Sequence, residues 1–465
     1  MRVGLVLGLV VVVTGCGAGA SPGGDGAVGD GAPVDVRTAD AGMFRGASVA
    51  VAGQAGNGYS LDPALDHTGR HVAFKSLASN LVPGDLEGHL DVFVRDTCLG
   101  ASPCQPATTR VSIATDGTEA NEGNLEPTLS MDGRFVVFMT LSNNIYPGDL
   151  INKVDVVVRD TCLGASSCTP STSLVSADDL GMFGSESSVT PKVSANGRWV
   201  AMRTQAPFVA GDAPRTWDIY VRDTCAVATA ACLPSTVRVS AGRAAEPDGE
   251  SFAPAIAASG RFVAFRSDAT NLVTPATAGR QVFLRDGCFG AVGCTPSTVL
   301  VSVDSSGAAG ASPVQSTDPL AVSGDGRYVA FAWDGALVPA DQDGASDIYV
   351  RDTCAGAVAC TPSTQLVSLD VGEAALTVAA SSPSISADGR LVAFAVAGRG
   401  LLVRDTCARG SACTPSTRVV PTLADPSQPV LSGDGRRLAY VSAAPGPGDD
   451  NGMPDVFVVD VGVAP

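Results

Sequence analysis

Ser386-Ala-Asp-Gly-Arg-Leu-Val-Ala-Phe394 and Asp347-Ile-Tyr-Val-Arg-Asp352 are the two stretches on which the fold turns. In the first, Asp-Gly supplies a tight turn and Leu-Val-Ala-Phe a short apolar strand. The same Gly-Arg pair precedes a strand at Gly69-Arg70, Gly133-Arg134, Gly197-Arg198, Gly260-Arg261, Gly326-Arg327, Gly389-Arg390 and Gly435-Arg436. Successive steps are 64, 64, 63, 66, 63 and 46 residues. A recurring step of this size marks a repeat architecture. Each unit reads as a strand after a polar loop, the Gly-Arg turn, an apolar strand such as Phe135-Val-Val-Phe138 and a loop often ending in Pro-Gly-Asp. A third strand, a two-cysteine loop and a fourth strand such as Val299-Leu-Val-Ser302 complete it. Helical periodicity is not sustained anywhere in the body.

Four strands in each of seven units predict an all-β, seven-bladed β-propeller over residues 46–465. The seventh unit stops after its third strand, Asp455-Val-Phe-Val-Val459. Ala47-Ser-Val-Ala-Val-Ala52 matches the outer strand of other units, Arg110-Val-Ser-Ile-Ala114 for example. The expectation is that the strand near Val49 pairs with the strand near Phe457 and closes the ring.

The quoted repeats resemble the TolB-type, WD-like β-propeller family over nearly all of residues 47–461. The resemblance implies a binding, scaffolding or accessory role and identifies no ligand. Two departures stand out. A long cysteine loop follows the third strand, and the N-terminal segment is too short for the separate α/β domain that TolB carries.

Before the repeats, Val3 to Val13 is an apolar run behind Met1-Arg2, the layout of an export signal. Val13-Thr-Gly-Cys16 resembles the lipobox of bacterial lipoproteins. That resemblance implies a signal peptide at 1–15 and acylation of Cys16 as the first mature residue. Gly17 stands where an aspartate would imply inner-membrane retention, so the outer membrane or cell surface is favoured. Residues 16–45 are rich in Gly, Ala, Asp and Pro and read as a flexible tether.

Thirteen cysteines minus Cys16 leave twelve. They fall in local pairs: Cys98/Cys104, Cys162/Cys168, Cys225/Cys232, Cys288/Cys294, Cys354/Cys360 and Cys407/Cys413. In an exported chain these are expected disulfides, each contributing about 2 kcal/mol by closing a small loop. Zinc sites need closer spacing and a second pair or nearby histidines.

Net charge is −17, from 30 Lys+Arg against 47 Asp+Glu, which gives no electrostatic reason to bind nucleic acid. Nucleophile elbows, zinc-protease motifs, P-loops and dinucleotide fingerprints are missing from the sequence. The three histidines, His67, His71 and His89, are read as solvated surface residues. The loops between second and third strands are acidic: Asp85 to Asp91, Asp341-Gln-Asp-Gly-Ala-Ser-Asp347 and Asp449-Asp-Asn-Gly-Met-Pro-Asp455, with Asp149 and Asp212 in blades two and three. We read these aspartates as caps of their own loops. The competing reading places Ca²⁺ on Asp85, Asp91, Asp341, Asp343, Asp347, Asp449, Asn451 and Asp455. With no catalytic residue and no required cofactor, the expected function is non-catalytic. The chain is expected to be a monomeric envelope lipoprotein, held at the membrane by its lipid anchor, binding an envelope protein or polymer through an acidic loop face. The alternative is a glycan- or peptide-directed hydrolase or lyase using channel carboxylates.

Overall fold

In the computed structural model the described residues lie within 44–462, apart from short stretches at 50–52, 86–87, 150–152, 213–214, 229–230, 243–245, 312–315, 411–412, 447–448 and 450. Cys16 and the segment expected to be a tether before Phe44 lie outside them. Seven four-stranded antiparallel sheets form a β-propeller, as the repeats predict. Blade one shows the pattern: inner strand Ser60–Leu65, second strand His71–Ser76, third strand Asp91–Asp96 and outer strand Ala107–Arg110. The second and third strands are apolar on both faces because each sheet is sandwiched between neighbours. In blade two they read Phe135–Thr140 and Asp155–Asp160 and are almost wholly buried.

The apolar core is divided among the interfaces between blades. Seven buried clusters are resolved, each shared by two neighbouring blades. One of them joins Val72, Phe74 and Phe93 of blade one to Ala439, Val441 and Val456 of blade seven, so the ring is sealed by the same packing that builds it. Inner strands carry a register shift before their proline, as between Leu61 and Ala64. The Gly of the Gly-Arg turn is required twice over. Gly197 has φ of +78°, and a Cβ there would sit 2.2 Å from the Phe135 ring of the preceding blade.

Ring closure by the N-terminal strand holds, with a shift in position. The closing strand is Phe44–Gly46, paired as Phe44↔Val459, Arg45↔Val458 and Gly46↔Phe457. Val49 instead forms an isolated bridge to Ala55. The equivalence that sets the register is Ser48 with Ser112. Ser48 Oγ donates to Asp455 Oδ1 at 2.6 Å, and Ser112 Oγ donates to Asp91 Oδ1 at 2.5 Å. The strand therefore ends where the sequence comparison starts it.

All six local cysteine pairs are disulfides: Cys98–Cys104, Cys162–Cys168, Cys225–Cys232, Cys288–Cys294, Cys354–Cys360 and Cys407–Cys413. Each sits in one larger device. Arg134 of the Gly-Arg turn donates Nε and Nη2 to Asp160 Oδ1 and Oδ2 at 2.8 and 2.7 Å. Asp160 Oδ1 accepts the backbone N–H of Cys162 at 2.8 Å, and Nη2 lies 3.4 Å from Cys168 Sγ. The first cysteine of each pair has a left-handed φ, +59° at Cys162, which this bond to Asp160 holds. Arg70–Asp96, Arg198–Asp223, Arg261–Asp286, Arg327–Asp352 and Arg390–Asp405 repeat the clamp. Asp-Cys-Cys groupings that resemble metal sites are these clamps, with both sulfurs in a disulfide.

The six staples are alike in sequence but for one more residue inside Cys225–Cys232, and the contact to the turn arginine is longest at Cys413. Its disulfide to Cys407 is made, but Cys413 Sγ stands 3.9 Å from Arg390 Nη2, against 3.3–3.7 Å for the second cysteines of the other five clamps. The cause is a turned guanidinium. Arg390 Nε is shared between Asp405 Oδ1 and Oδ2 at 2.9 and 3.0 Å instead of facing one oxygen, which carries Nη2 away from the sulfur. Cys413 Sγ is likewise 4.0 Å from Asp405 Oδ1.

Removing the chain through Gly46 strips the edge of Asp455–Asp460 and exposes an unpaired apolar strand. About three backbone hydrogen bonds at ~1 kcal/mol each are lost, so a destabilisation of ~2–4 kcal/mol is expected. Denaturant unfolding of the truncated and full chains measures it. An unchanged midpoint would mean that the closing strand does not hold the ring.

Candidate functional site

The propeller has two unlike ends. At the end bearing the Gly-Arg turns and disulfides, one residue from each turn joins a ring of backbone hydrogen bonds. His67 N donates to Met131 O, Met131 N to Ala195 O, Ala195 N to Ala258 O, Ala258 N to Gly324 O, Gly324 N to Ala387 O and Ala387 N to Gly433 O, all within 2.8–3.0 Å. Asp434 N donates to His67 O at 2.9 Å and completes the circle, one residue out of step. Five of the seven residues, Ala195, Ala258, Gly324, Ala387 and Gly433, are small; His67 and Met131 are the exceptions. Just inside lies a ring of aliphatic residues that ends the inner strands, among them Leu65, Leu129, Val193 and Ile256. They line a vestibule of only about 150 Å³. The hydrogen-bonded ring and these residues, with Asp66 and His67, form a collar at this end of the channel.

At the opposite end are the loops expected to be an acidic face. The geometry corrects that expectation. Asp85, Asp149, Asp341 and Asp449 are buried, as are Asp91, Asp155, Asp218, Asp347 and Asp455 at the start of the third strands. The loop carboxylates turn inward and sit beside the strand carboxylates six residues on. They are not displayed to a partner. Asp343 alone of the candidate calcium ligands is exposed; its Oδ1 accepts the Ala345 N–H at 2.8 Å. Asn451 is likewise spent on its loop: its Nδ2 donates to Gly56 O at 2.6 Å and its Oδ1 accepts Met453 N–H at 2.6 Å.

The buried pairs are neutralised differently in different blades. In blade one, Arg110 Nη1 lies 3.3 Å from Asp85 Oδ1 and 3.5 Å from Asp91 Oδ2, and Glu119 pairs with the other side of the guanidinium. Blade three repeats this with Arg238, Asp212 and Glu246. Blade two has Leu174 in the arginine's register. There burial pushes the Asp155 carboxyl up to about 7, with Ser176 opposing and Asp149 adding to the rise. Blade four has Gln281 at this position. Its Oε1 accepts Ser302 Oγ–H at 2.6 Å and its Nε2 donates to Ala278 O at 2.9 Å. An amide there does what a protonated carboxyl does in blade two. Blade six dispenses with the loop, joining Val396 to Gly400 through three residues.

What the ring does expose is a set of rigid hairpin tips between blades, folded against the flank of the next blade: Thr236 N–H and Oγ–H of blade three donate to Asp179 Oδ1 and Ala177 O at 2.6 and 2.5 Å, one residue from the Ser235–Asp223 pair at the disulfide end. Asp116, Asp178, Asp304 and Asp370 each accept a backbone N–H two residues on, at 2.8–2.9 Å. Such caps fix the loop before any partner arrives. The tip after blade two carries Leu180 and Met182, 87% and 61% exposed. The sequence reading passed over these two because they are single apolar residues in a polar loop. Their signal was the Asp-x-x-Gly turn that holds them out.

The channel wall carries a further charged group. Asp62 on the inner strand pairs with Lys75 at 2.7 Å. Burial pushes the neighbouring Glu126 carboxyl up, against the pull of Lys192 and Lys75 and with the push of Asp62. Of the histidines, His67 is exposed at the collar, whereas His71 is buried, a correction to its expected surface position. His71 Nδ1 lies 2.6 Å from Asp66 Oδ2, and Nε2 is 3.7 Å from Asp96. It takes the place that Phe135, Phe262 and Tyr328 hold in other blades, and Asp66 replaces serine to partner it.

No protein-family model matches the chain, and no curated protein matches it. Solved structures share the fold. Hydrazine synthase of Kuenenia stuttgartiensis is 16% identical with a TM-score of 0.43, covering 86% of this chain and 95% of that one. TolB from Acinetobacter baumannii is 13% identical with a TM-score of 0.35, covering 64% and 52%. An oligogalacturonate lyase in complex with manganese is 12% identical with a TM-score of 0.46, covering 86% and 88%. The neighbours thus include both TolB and enzymes, and the likeness is to the propeller alone.

The carboxylates set an unusual pH dependence. Asp155 holds its proton in the fold to about pH 7 but loses it near pH 4 when unfolded. Between those values the folded state binds more protons, so this group's contribution to stability falls as pH rises from ~4 to ~7. In the clamps, burial pushes Asp160 and Asp286 up, but the arginine and cysteine N–H bonds outweigh it and hold both below the usual range. Their contribution is present above ~4 and lost as pH falls through the depressed value. Melting temperature is therefore expected to peak on the acid side of neutrality. Asp155→Asn mimics the protonated acid, so it should raise the melting temperature by about 2 °C at pH 8 and leave it almost unchanged at pH 5. A shift of equal size at both pH values would refute this assignment.

Proposed function

We propose that this chain is a non-catalytic lipoprotein of the bacterial cell envelope, with a propeller that binds an envelope protein or polymer through the exposed hairpin between blades two and three. The observation that carries the reading is the hairpin between blades two and three. It is prebuilt, capped by Asp178 and bonded to the flank of blade three, and it holds Leu180 and Met182 exposed. Ordered tips with exposed apolar side chains bind at low entropic cost. The titratable groups described at both ends have structural partners: arginine clamps, serine hydroxyls or their own loops. The chemistry of recognition is accordingly apolar contact rimmed by carboxylates, rather than the acidic surface the loop sequences suggest.

A photo-reactive residue at Leu180 should crosslink a discrete partner in intact cells, and one at Val292 on the disulfide end should not. Adducts from Val292 alone would move the binding surface to the disulfide loops. Leu180→Asp with Met182→Asp should weaken capture about tenfold or more, as loss of an apolar anchor does.

The lipid anchor is read from Val13-Thr-Gly-Cys16, and the six disulfides fit the oxidising compartment that export would reach. Labelling with a palmitate analogue should mark the wild-type chain and leave Cys16→Ser unlabelled. Label retained by Cys16→Ser would remove the anchor from this reading.

A second reading rests on Glu126 and Asp62, neighbouring carboxylates of the channel wall with Glu126 raised by burial. It makes the chain a glycan- or peptide-directed hydrolase or lyase. Turnover abolished by Glu126→Gln would establish it in place of the first.

A further inference from the structure

In blades one and three a guanidinium holds the loop and strand carboxylates together. Among the described residues, blade seven has the same two carboxylates without an arginine in that register. Its register places Gly46 opposite Phe457, where Arg110 stands opposite Phe93 and Arg238 opposite Tyr220. Ala55 takes the position of Glu119, since the bridge Val49↔Ala55 repeats Ile113↔Glu119. Arginine and its outer glutamate have thus gone together, and the inner carboxylates have stayed.

Those carboxylates are buried, Asp449 at 8% and Asp455 at 3% exposure, and they lie within hydrogen-bonding reach of each other. Asp449 Oδ1 accepts the Asn451 N–H at 3.1 Å, and Asp455 Oδ1 accepts Ser48 Oγ–H at 2.6 Å. The Oδ2 atoms of both are buried without a donor. Those two oxygens, on carboxylates within reach of each other, offer two of the ligands of a hard cation, with the Ser60 hydroxyl also beside Asp455. The space is also reachable. A cavity of about 570 Å³, walled by Gly53, Gln54, Ala55, Gly56 and Asn80, opens onto Asp449 and Asn451. In blades two and five the arginine's register is filled by Leu174 and Leu366, which pack into the apolar clusters, so the same vacancy does not arise there.

We infer that blade seven binds one divalent cation of the calcium class through Asp449 Oδ2 and Asp455 Oδ2, in the place of the missing arginine. Water entering through the cavity completes the shell of six or more oxygens that such an ion takes. Asn451 positions the loop and is not a ligand. Because Ser48 bonds the same carboxylate and directly follows the closing strand, the ion fastens the N-terminal end of the chain to the last blade. With only two protein carboxylates, affinity falls in the range of extracellular calcium modules, about 10⁻⁴–10⁻³ M.

The test is calorimetric titration of the full chain with Ca²⁺, alongside thermal unfolding with and without about 10 mM of the ion. One ion per chain and a rise in melting temperature of about 2 °C are expected. Gly46→Arg supplies the guanidinium of blades one and three. It should abolish binding and melt, without calcium, at least as high as the calcium-loaded wild type. Asp455→Asn should weaken binding about tenfold or more and lose the calcium-dependent rise. Should either variant fail to fold, terbium luminescence of the wild type against Asp449→Asn gives the same comparison. Wild type that neither binds nor is stabilised would overturn the inference and leave the two carboxyls sharing a proton. Binding that survives both Gly46→Arg and Asp455→Asn would overturn it by placing the ion elsewhere.

Discussion

The clamp between the turn arginine and the aspartate that ends the third strand is the interaction on which this propeller depends. Propeller blades need their strand ends held at a fixed splay, and the connection from third to outer strand here is too long for a tight hairpin turn. Arg134 takes both oxygens of Asp160 in a planar fork, a geometry lysine cannot match. The same Asp160 oxygen then accepts the N–H of Cys162, whose left-handed backbone lets the disulfide to Cys168 close the loop. One aspartate thereby joins the first turn of a blade to its last loop. Towards the end of the chain the device loosens. In blade six the turned Arg390 fork leaves Cys413 at 3.9 Å, and blade seven has no cysteine loop at all. There it is Arg437, one residue beyond the turn arginine Arg436, that reaches Asp460 at 3.3 Å through Nε, and that aspartate is 73% exposed. The blade whose outer strand comes from the other end of the chain makes this contact from a different position.

Closing a ring from repeats of unequal length demands tolerance somewhere, and the collar shows where it lies. Six of its seven links use equivalent residues; the seventh shifts from Gly433 to Asp434. Gly433 is required there because a Cβ would lie 2.4 Å from His67 Nδ1. The blade-seven-to-one junction therefore carries two adjustments together, a borrowed strand and a slipped hydrogen bond, while the unusual Asp66–His71 pair faces Gly133 of blade two. The buried carboxylates Asp449 and Asp455 lie at the same junction, on the opposite end of the blade.

Much of this was legible in the sequence because the repeat is a spacing signal that burial does not alter. The Gly-Arg period set the number of blades, and the local cysteine pairs set the disulfides. Two readings failed for definite reasons. The closing strand was placed about three residues late because Ala47 to Ala52 has the stronger strand composition, whereas the pairing is decided by Ser48 meeting Asp455. The acidic loops were read as a charged surface because composition reports charge and not direction. Asp85 and Asp212 turn inward to meet Arg110 and Arg238 at the ends of the outer strands, and that partnership spans loops far apart in sequence. The arginine of the Gly-Arg turn was quoted as part of a turn motif, and its partner at the third strand's end went unrecognised for the same reason.

The variation among blades carries information that no single blade does. Each pair of buried carboxylates poses the same problem, since two neighbouring carboxylates cannot both ionise in a dry site at modest cost. Blades one and three answer with an arginine and balance its remaining charge with a glutamate. Blade four answers with glutamine and blade two with a proton. A propeller that served only to hold a shape would gain more from leucine at these positions, because burying a charge without a role is expensive. Retaining carboxylates in five blades of seven while changing the neutralising partner from blade to blade is how a site stays adjustable in one blade as the others keep the ring intact. Blade seven, with glycine where the arginine stood and a cavity leading in, is the blade left open.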